Sequence, residues 1–188
     1  MRMTMTMRTM RVLALAAAMT LGAAVPAAAQ ATPEETVMAF FETFRTGDYA
    51  ANAAMMDPAA LEQLKATMVG FASLPGAEGD ETFGRMFGVK TAEEMRALPA
   101  AELYARMLRG TLGADEVREM MSLLQARPLG HVMEGDTAHV VYRMKMSMNG
   151  ADVEQVQVAP MVRVDGTWKL LLTGTLAGLM PSLPAEAP

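Results

Sequence analysis

Two side chains in the second half of the chain have the chemistry to hold a ligand or move a proton. His131 and Tyr142 lie in neighbouring extended stretches, and a two-residue turn at Gly135-Asp136 sets His131 opposite Val140 and diagonal to Tyr142. An imidazole titrates near neutrality and a phenol both donates and accepts, so the pair suits a small ligand or a proton shuttle. Proton transfer needs a second titratable group as well. No Asp or Glu falls on the same strand face, so the acid must come from a helix, with Asp48, Glu102 and Glu116 as candidates. Without such a partner the plainer reading is a half-buried histidine satisfied by the tyrosine hydroxyl or a backbone carbonyl. No catalytic residue is assigned.

Met144-x-Met146-x-Met148 sets three thioethers on one strand face, soft ligands that can hold cuprous copper. The chain carries 21 methionines, however, and several crowd the first ten residues, where they bind nothing. The row therefore reads as core filler, and neither a metal nor a cofactor is implied. Arg143, Lys145, Arg163 and Lys169 share the other face with His139, Gln155 and Gln157, and Val141, Met161 and Leu171 sit among them. That mixture suits a solvated face, a patch for an anionic partner, or one side of a homodimer formed through the sheet. Lys145 faces Glu154 across the hairpin, a pair worth little if exposed.

These residues need a sheet to hold them. From Leu129 to Thr173 four extended segments are separated by Gly135-Asp136, Asn149-Gly150 and Asp165-Gly166, the signals of short turns in an antiparallel meander. Alternation assigns Ala138, Val140, Tyr142, Met144, Met146 and Met148 to the core face, joined by Leu129, His131 and Met133. Val156, Val158, Val162 and Val164 share a face in the third segment, as do Trp168, Leu170 and Leu172 in the fourth. Two-residue turns at Asn149-Gly150 and Asp165-Gly166 would bring Gln155 and Gln157 into the core, which favours longer turns with a bulge. Pro160 marks a bulge or an unpaired stretch.

The sheet needs cover, and the preceding sequence supplies helices. Thr32-Pro33-Glu34-Glu35 opens one that carries Val37, Phe40, Phe41 and Phe44 at helical spacing and stops at Gly47. Shorter helices follow from Asp48 and from Asp57-Pro58. Between Ser73 and Pro99 the pattern weakens. There Phe83, Met86 and Phe87 follow a loop rich in Gly, Pro and acid, which suits equally a movable cover over a pocket mouth or static core docked against the first helix. Thr91-Ala92-Glu93-Glu94 caps a short helix, and 99–109 and 115–126 read as two more, the last with Val117, Met120, Met121 and Leu124 in one stripe.

Ahead of these lies an arginine-flanked apolar run followed by AVPAAAQA, the pattern of a secretory leader with cleavage after Ala29 or Ala31. The expected organisation is a leader over 1–31, one domain over 32–176 and a Pro/Ala-rich tail over 177–188. An exported product, periplasmic or secreted and soluble, follows. The net charge is −5, and more negative once Arg2, Arg8 and Arg11 are removed, which argues against nucleic acid or an anionic membrane surface as partner. Cysteine is absent, so the domain must rely on its packed core.

The opening P-E-E-T-V-x-A-F-F-E-T-F-R-T-G-D-Y, the segment from Gly135 to Val140, and the closing V-R-V-D-G-T-W-K-L-L together resemble the NTF2-like superfamily. The resemblance implies an α+β cone in which N-terminal helices pack on one face of a curved four-stranded antiparallel sheet. It also implies a pocket between the first helix and the sheet, with His131, Tyr142, Phe41, Phe83, Phe87 and Trp168 as lining candidates. Members of that superfamily range from isomerases and dehydratases to binding modules, so the resemblance implies a fold more than an activity. The apolar face favours a domain binding a small apolar or amphipathic ligand, or a protein partner, without catalysis. The alternative is a cofactor-independent isomerase, dehydratase or hydrolase working through His131 and Tyr142.

Overall fold

A computed structural model describes residues 31–74, 81–148 and 151–172; the expected leader up to residue 30 and the tail over 177–188 lie outside the described residues. Helices α1 (Pro33–Thr46), α2 (Tyr49–Ala54), α3 (Pro58–Ala72), α4 (Glu81–Phe87), α5 (Ala92–Ala97), α6 (Ala100–Leu112) and α7 (Asp115–Ser122) precede four strands. The strands β1 (Gln125–Glu134), β2 (Thr137–Met148), β3 (Ala151–Val164) and β4 (Thr167–Leu170) form one antiparallel sheet in the order β1-β2-β3-β4. The fold is α+β, with α1 packed on β1, β2 and β4 and α7 on β2. Among the described residues no helix is long and apolar enough to cross a membrane.

The start of α1 is fixed by reciprocal capping. Thr32 Oγ1 accepts the Glu35 N–H at 3.2 Å, and the Glu35 carboxylate accepts the Thr32 N–H at 2.8 Å. Gly47, at φ 69°, ends the helix in the left-handed region. Between these ends Val37, Phe40, Phe41 and Phe44 are buried, and Phe40 meets its two phenylalanine neighbours edge to face.

A second packed layer forms where the sequence pattern is weak. α4 packs on α6, and a Cβ at Gly110 would stand 2.4 Å from the Met86 carbonyl oxygen, so the two backbones meet where only glycine fits. Phe87, Val89 and Met95 are buried in the same core. The expected cover is therefore a helix whose Phe87 is built into the helical layer against α6. The side chain of Phe83 lies outside the described residues.

Register corrects several face assignments. β1 begins at Gln125, so the expected helix over 115–126 stops short at Ser122, and Leu124 is buried in the link between them. A bulge between Pro128 and Gly130, with Gly130 at φ 136°, inverts the alternation of β1. Leu129 is consequently exposed, while Pro128 rather than Leu129 takes the inner position opposite Tyr142.

The Asp165-Gly166 turn has two residues, both at positive φ (50° and 78°), and not the longer form expected. Met148 pairs with Ala151, which closes the β2–β3 hairpin equally tightly. Gln155 and Gln157 thus do share the inner face with Met144 and Tyr142, whereas Val156 and Val158 stand on the outer face, exposed. Met161 is fully buried beneath the helices, and Arg163 lies opposite Trp168 on the inner side, so neither belongs to the outer basic face.

Pro160 sits in regular register opposite His139. Its carbonyl accepts the Leu171 N–H at 3.0 Å, so its missing donor would point the same way, to where β4 has just ended at Leu170. The free edge of β4 is covered by the link between α2 and α3. Asp57 N–H donates to the Leu170 carbonyl at 2.8 Å, and Leu170 N–H to the Met55 carbonyl at 2.9 Å.

Candidate functional site

At one end of the inner face the sheet is not filled by helix side chains. An open cleft of about 530 Å³ lies there, lined by Ala31, Thr32 and Pro33 at the start of α1, His131 and Met133 of β1, Asp136, Arg163 and Trp168. Three elements position its polar groups. β1 holds His131, the β3–β4 hairpin sets Arg163 against Trp168, and the capped first turn of α1 closes one wall.

His131 does not bond to Tyr142. Its Nδ1 lies 2.6 Å from Glu34 Oε1, joining the first turn of α1 to β1. Both side chains are partly shielded, His131 33% and Glu34 25% exposed. The hydrogen bond from His131 holds the Glu34 carboxyl below its ordinary pKa, against a smaller opposing effect of burial. A carboxylate at Nδ1 selects the tautomer protonated there, which leaves Nε2 as the acceptor and base.

Tyr142 is buried, its ring 4.9 Å from that of Phe41, and burial raises its phenol pKa. These two rings belong to the α1–sheet core, with Phe41 also reaching the wall of a separate groove of about 520 Å³ between α1 and the Ser122–Ala126 link. His131 opposes Val140 with Tyr142 diagonal to it, as expected, but its Nδ1 turns to Glu34 while the Tyr142 ring packs on Phe41.

Trp168 is 6% exposed, and among the described residues its Nε1–H has no hydrogen-bond partner. A buried donor left unpaired is unusual and costly. The Arg163 guanidinium carbon sits 4.7 Å from the centroid of the Trp168 ring, a cation–π arrangement that keeps the planar fork against the indole. The cleft thus combines the polar residues Thr32, His131, Asp136 and Arg163 with apolar surface from Ala31, Pro33, Met133 and Trp168.

The acids put forward for His131 are elsewhere. Asp48 caps α2 through the Ala51 N–H, Glu102 pairs with Arg106 on α6, and Glu116 lies in the first turn of α7. Glu34 was concealed by its other role as a helix-start carboxylate. No local signal could have revealed it, since only the packing of α1 on β1 brings Glu34 to His131.

Met144 and Met146 are half-buried and pack against the core, and the Met148 side chain lies outside the described residues. Among the described residues there is no cluster of three or more His, Asp or Glu able to hold a metal ion. Lys145 does oppose Glu154 in register, but the ion pairs are crossed, Lys145 to Asp152 at 2.7 Å and Arg143 to Glu154 at 3.2 Å. Compared with family models, curated proteins and solved structures, the chain matches none.

Proposed function

We propose that this protein is an exported NTF2-like domain that acts by binding, taking a small amphipathic ligand in the cleft between the start of α1 and the Trp168 end of the sheet. The observation that carries the reading is an open cleft of about 530 Å³ lined by His131, Asp136, Arg163 and Trp168. Apolar surface from Met133 and Pro33 lies beside them, as pockets for small molecules combine apolar walls with a few placed polar groups. Export rests on the arginine-flanked leader. The test is to produce the full chain with its leader, recover the processed protein and extract retained small molecules for mass spectrometry. A ligand retained by the native protein and lost from a variant with the cleft filled, Met133→Trp, is the expected result; identical retention by both would refute the site.

A second reading is favoured by the 2.6 Å contact between His131 and Glu34. A histidine oriented by a carboxylate is a competent general base, so a cofactor-independent isomerase, dehydratase or hydrolase is the rival, with Glu34 in the place expected of Asp48, Glu102 or Glu116. A partner across the outer sheet face, including a second copy of the chain, is supported by the exposure of Val132, Val156 and Val158 there.

A further inference from the structure

The edges of an antiparallel sheet present backbone donors and acceptors that invite another strand, unless a proline, a bulge or a covering segment blunts them. On β1 the edge is interrupted by Pro128 and the bulge that follows it. On β4 it is covered, Leu170 bonding to the link between α2 and α3. The remaining edge belongs to β3. β4 pairs with β3 only from Met161 to Val164, and the Leu171 N–H adds one bond to the Pro160 carbonyl. From there back to Asp152, among the described residues, no strand lies beside β3 on that side.

Alternation determines which groups this edge offers. The Pro160 carbonyl faces β4, so the N–H and C=O groups of Val158, Val156, Glu154 and Asp152 point the same way, while those of the residues between them point to β2. Both faces of the strand are open as well. Residues 152–156 and Val158 are exposed, with Val153 on the inner face and Val156 and Val158 on the outer at 40–57%. No lysine or proline interrupts the stretch, and its register against β2 is regular. Its two acids are held by the neighbouring strand, Asp152 by Lys145 at 2.7 Å and Glu154 by Arg143 at 3.2 Å. The edge is therefore built to accept a strand and carries no net charge against one.

We propose that the edge of β3 over 152–158 is a strand-docking site and that its occupant is this chain's own segment 173–180, added as a continuation of β4. The described chain leads into it: Leu170 pairs with Met161 and the Leu171 N–H bonds to the Pro160 carbonyl, so Leu172 arrives beside Ala159. Carrying that register on sets Thr173, Thr175, Ala177 and Leu179 opposite Val158, Val156, Glu154 and Asp152. None of the four is a proline, so each brings a donor and an acceptor to an open position. Thr173 and Thr175 meet Val158 and Val156 as β-branched cross-strand pairs. Pro181, which cannot extend a ladder, comes only where β3 runs out at Ala151. Attachment gives this segment an effective concentration on the order of millimolar at the edge, which places it ahead of a second copy in dilute solution.

Amide hydrogen exchange read residue by residue by NMR, on the protein with its complete C-terminus, tests the pairing. The Val156 and Glu154 amides should exchange at least about tenfold more slowly than open amides, as the Val162 amide facing β4 does. Thr175→Pro deletes the donor opposite Val156 and should return both amides to open exchange. Gly174→Pro is the contrast, because in the same register its N–H points away from β3, and it should leave them protected. Both substitutions lie beyond the packed core, and the parent's own exchange pattern decides the matter should either variant fail to fold. Open exchange at Val156 and Glu154 in the parent overturns the proposal. Protection that is lost on dilution assigns the edge to a second copy, and protection that survives Thr175→Pro assigns it to another segment; either result overturns the occupant named here.

Discussion

On the inner face of β2 and β3, Ala138, Val140, Ala159 and Met161 are buried to 7% exposure or less, whereas Val132, Val156 and Val158 on the outer face are 48–64% exposed. Residue type does not separate the two, since the exposed set is the more β-branched. Cover separates them. α1 crosses the inner face and buries whatever stands beneath it, while among the described residues no helix packs on the outer face. A strand face becomes core by being roofed, and the roof is set by the register of the turns and the entry angle of α1 rather than by the hydropathy of the strand.

The largest effect should come from breaking the inner face. Trp168→Ala is expected to destabilise the fold by about 3–5 kcal/mol, the range for truncating a buried aromatic, against a total of roughly 5–15. Urea unfolding followed by circular dichroism measures it, and an unchanged midpoint would contradict the burial of Trp168. A sharper form uses neighbours in one strand. Ala159→Asp buries an unpaired charge and should leave the chain largely unfolded, whereas Val158→Asp, one residue away and pointing outward, should stay within about 0.5 kcal/mol of the parent. Comparable damage from both would mean that the outer face is covered too, as a dimer would cover it, and gel filtration of Val158→Asp would then show a loss of mass.

The helical layer offers a smaller test of the same principle, that contact and not composition makes a core. Gly110→Ala places a Cβ within 2.4 Å of the Met86 carbonyl oxygen and must push α4 away from α6, at an expected 1–3 kcal/mol (about the usual cost of overpacking). Hydrogen exchange of α4 in the parent protein should match that of α6. Exchange much faster than α6, slowing on addition of ligand, would restore the idea of a cover.

What the sequence revealed and what it hid divide along the same line. Alternation in β2 identified Ala138, Val140 and Tyr142 correctly because that strand is regular from Thr137 to Met148. Capping chemistry marked α1 for the same reason, since Thr32, Pro33 and Gly47 act locally. β3 misled because its most hydrophobic residues, Val156 and Val158, face outward, and only the two-residue turn decides that. Leu129 misled because a single bulge is invisible in composition. The cleft was half legible: His131 and Trp168 were identified. Glu34 was not proposed as the partner of His131, and Arg163 was placed on the outer face, since each reaches the site through a contact between elements.

The smallest effect contrasts a histidine–carboxylate pair on each face. On the inner side His131 meets Glu34 at 2.6 Å; on the outer side His139 meets Glu134 at 3.1 Å, with the Glu134 side chain 83% exposed. Because the His131 hydrogen bond lowers the Glu34 pKa in the folded state, the unfolded chain binds the proton more readily, and stability rises with pH across the interval between the two values. The contribution is therefore complete above the ordinary glutamate value of about 4.3, and it is lost as pH falls through the lower folded value. Glu34→Gln should be less stable than the parent near pH 6, by less than about 1 kcal/mol for a pair this exposed. The gap should close under acid, so that the variant shows a flatter stability profile below pH ~5, the acid side of the glutamate range. Glu134→Gln should leave the profile closer to the parent's, the Glu134 carboxylate being mostly in solvent. Parallel profiles for Glu34→Gln and the parent would show that α1 is not tied to β1 through His131, and the general-base reading would lose its orienting carboxylate.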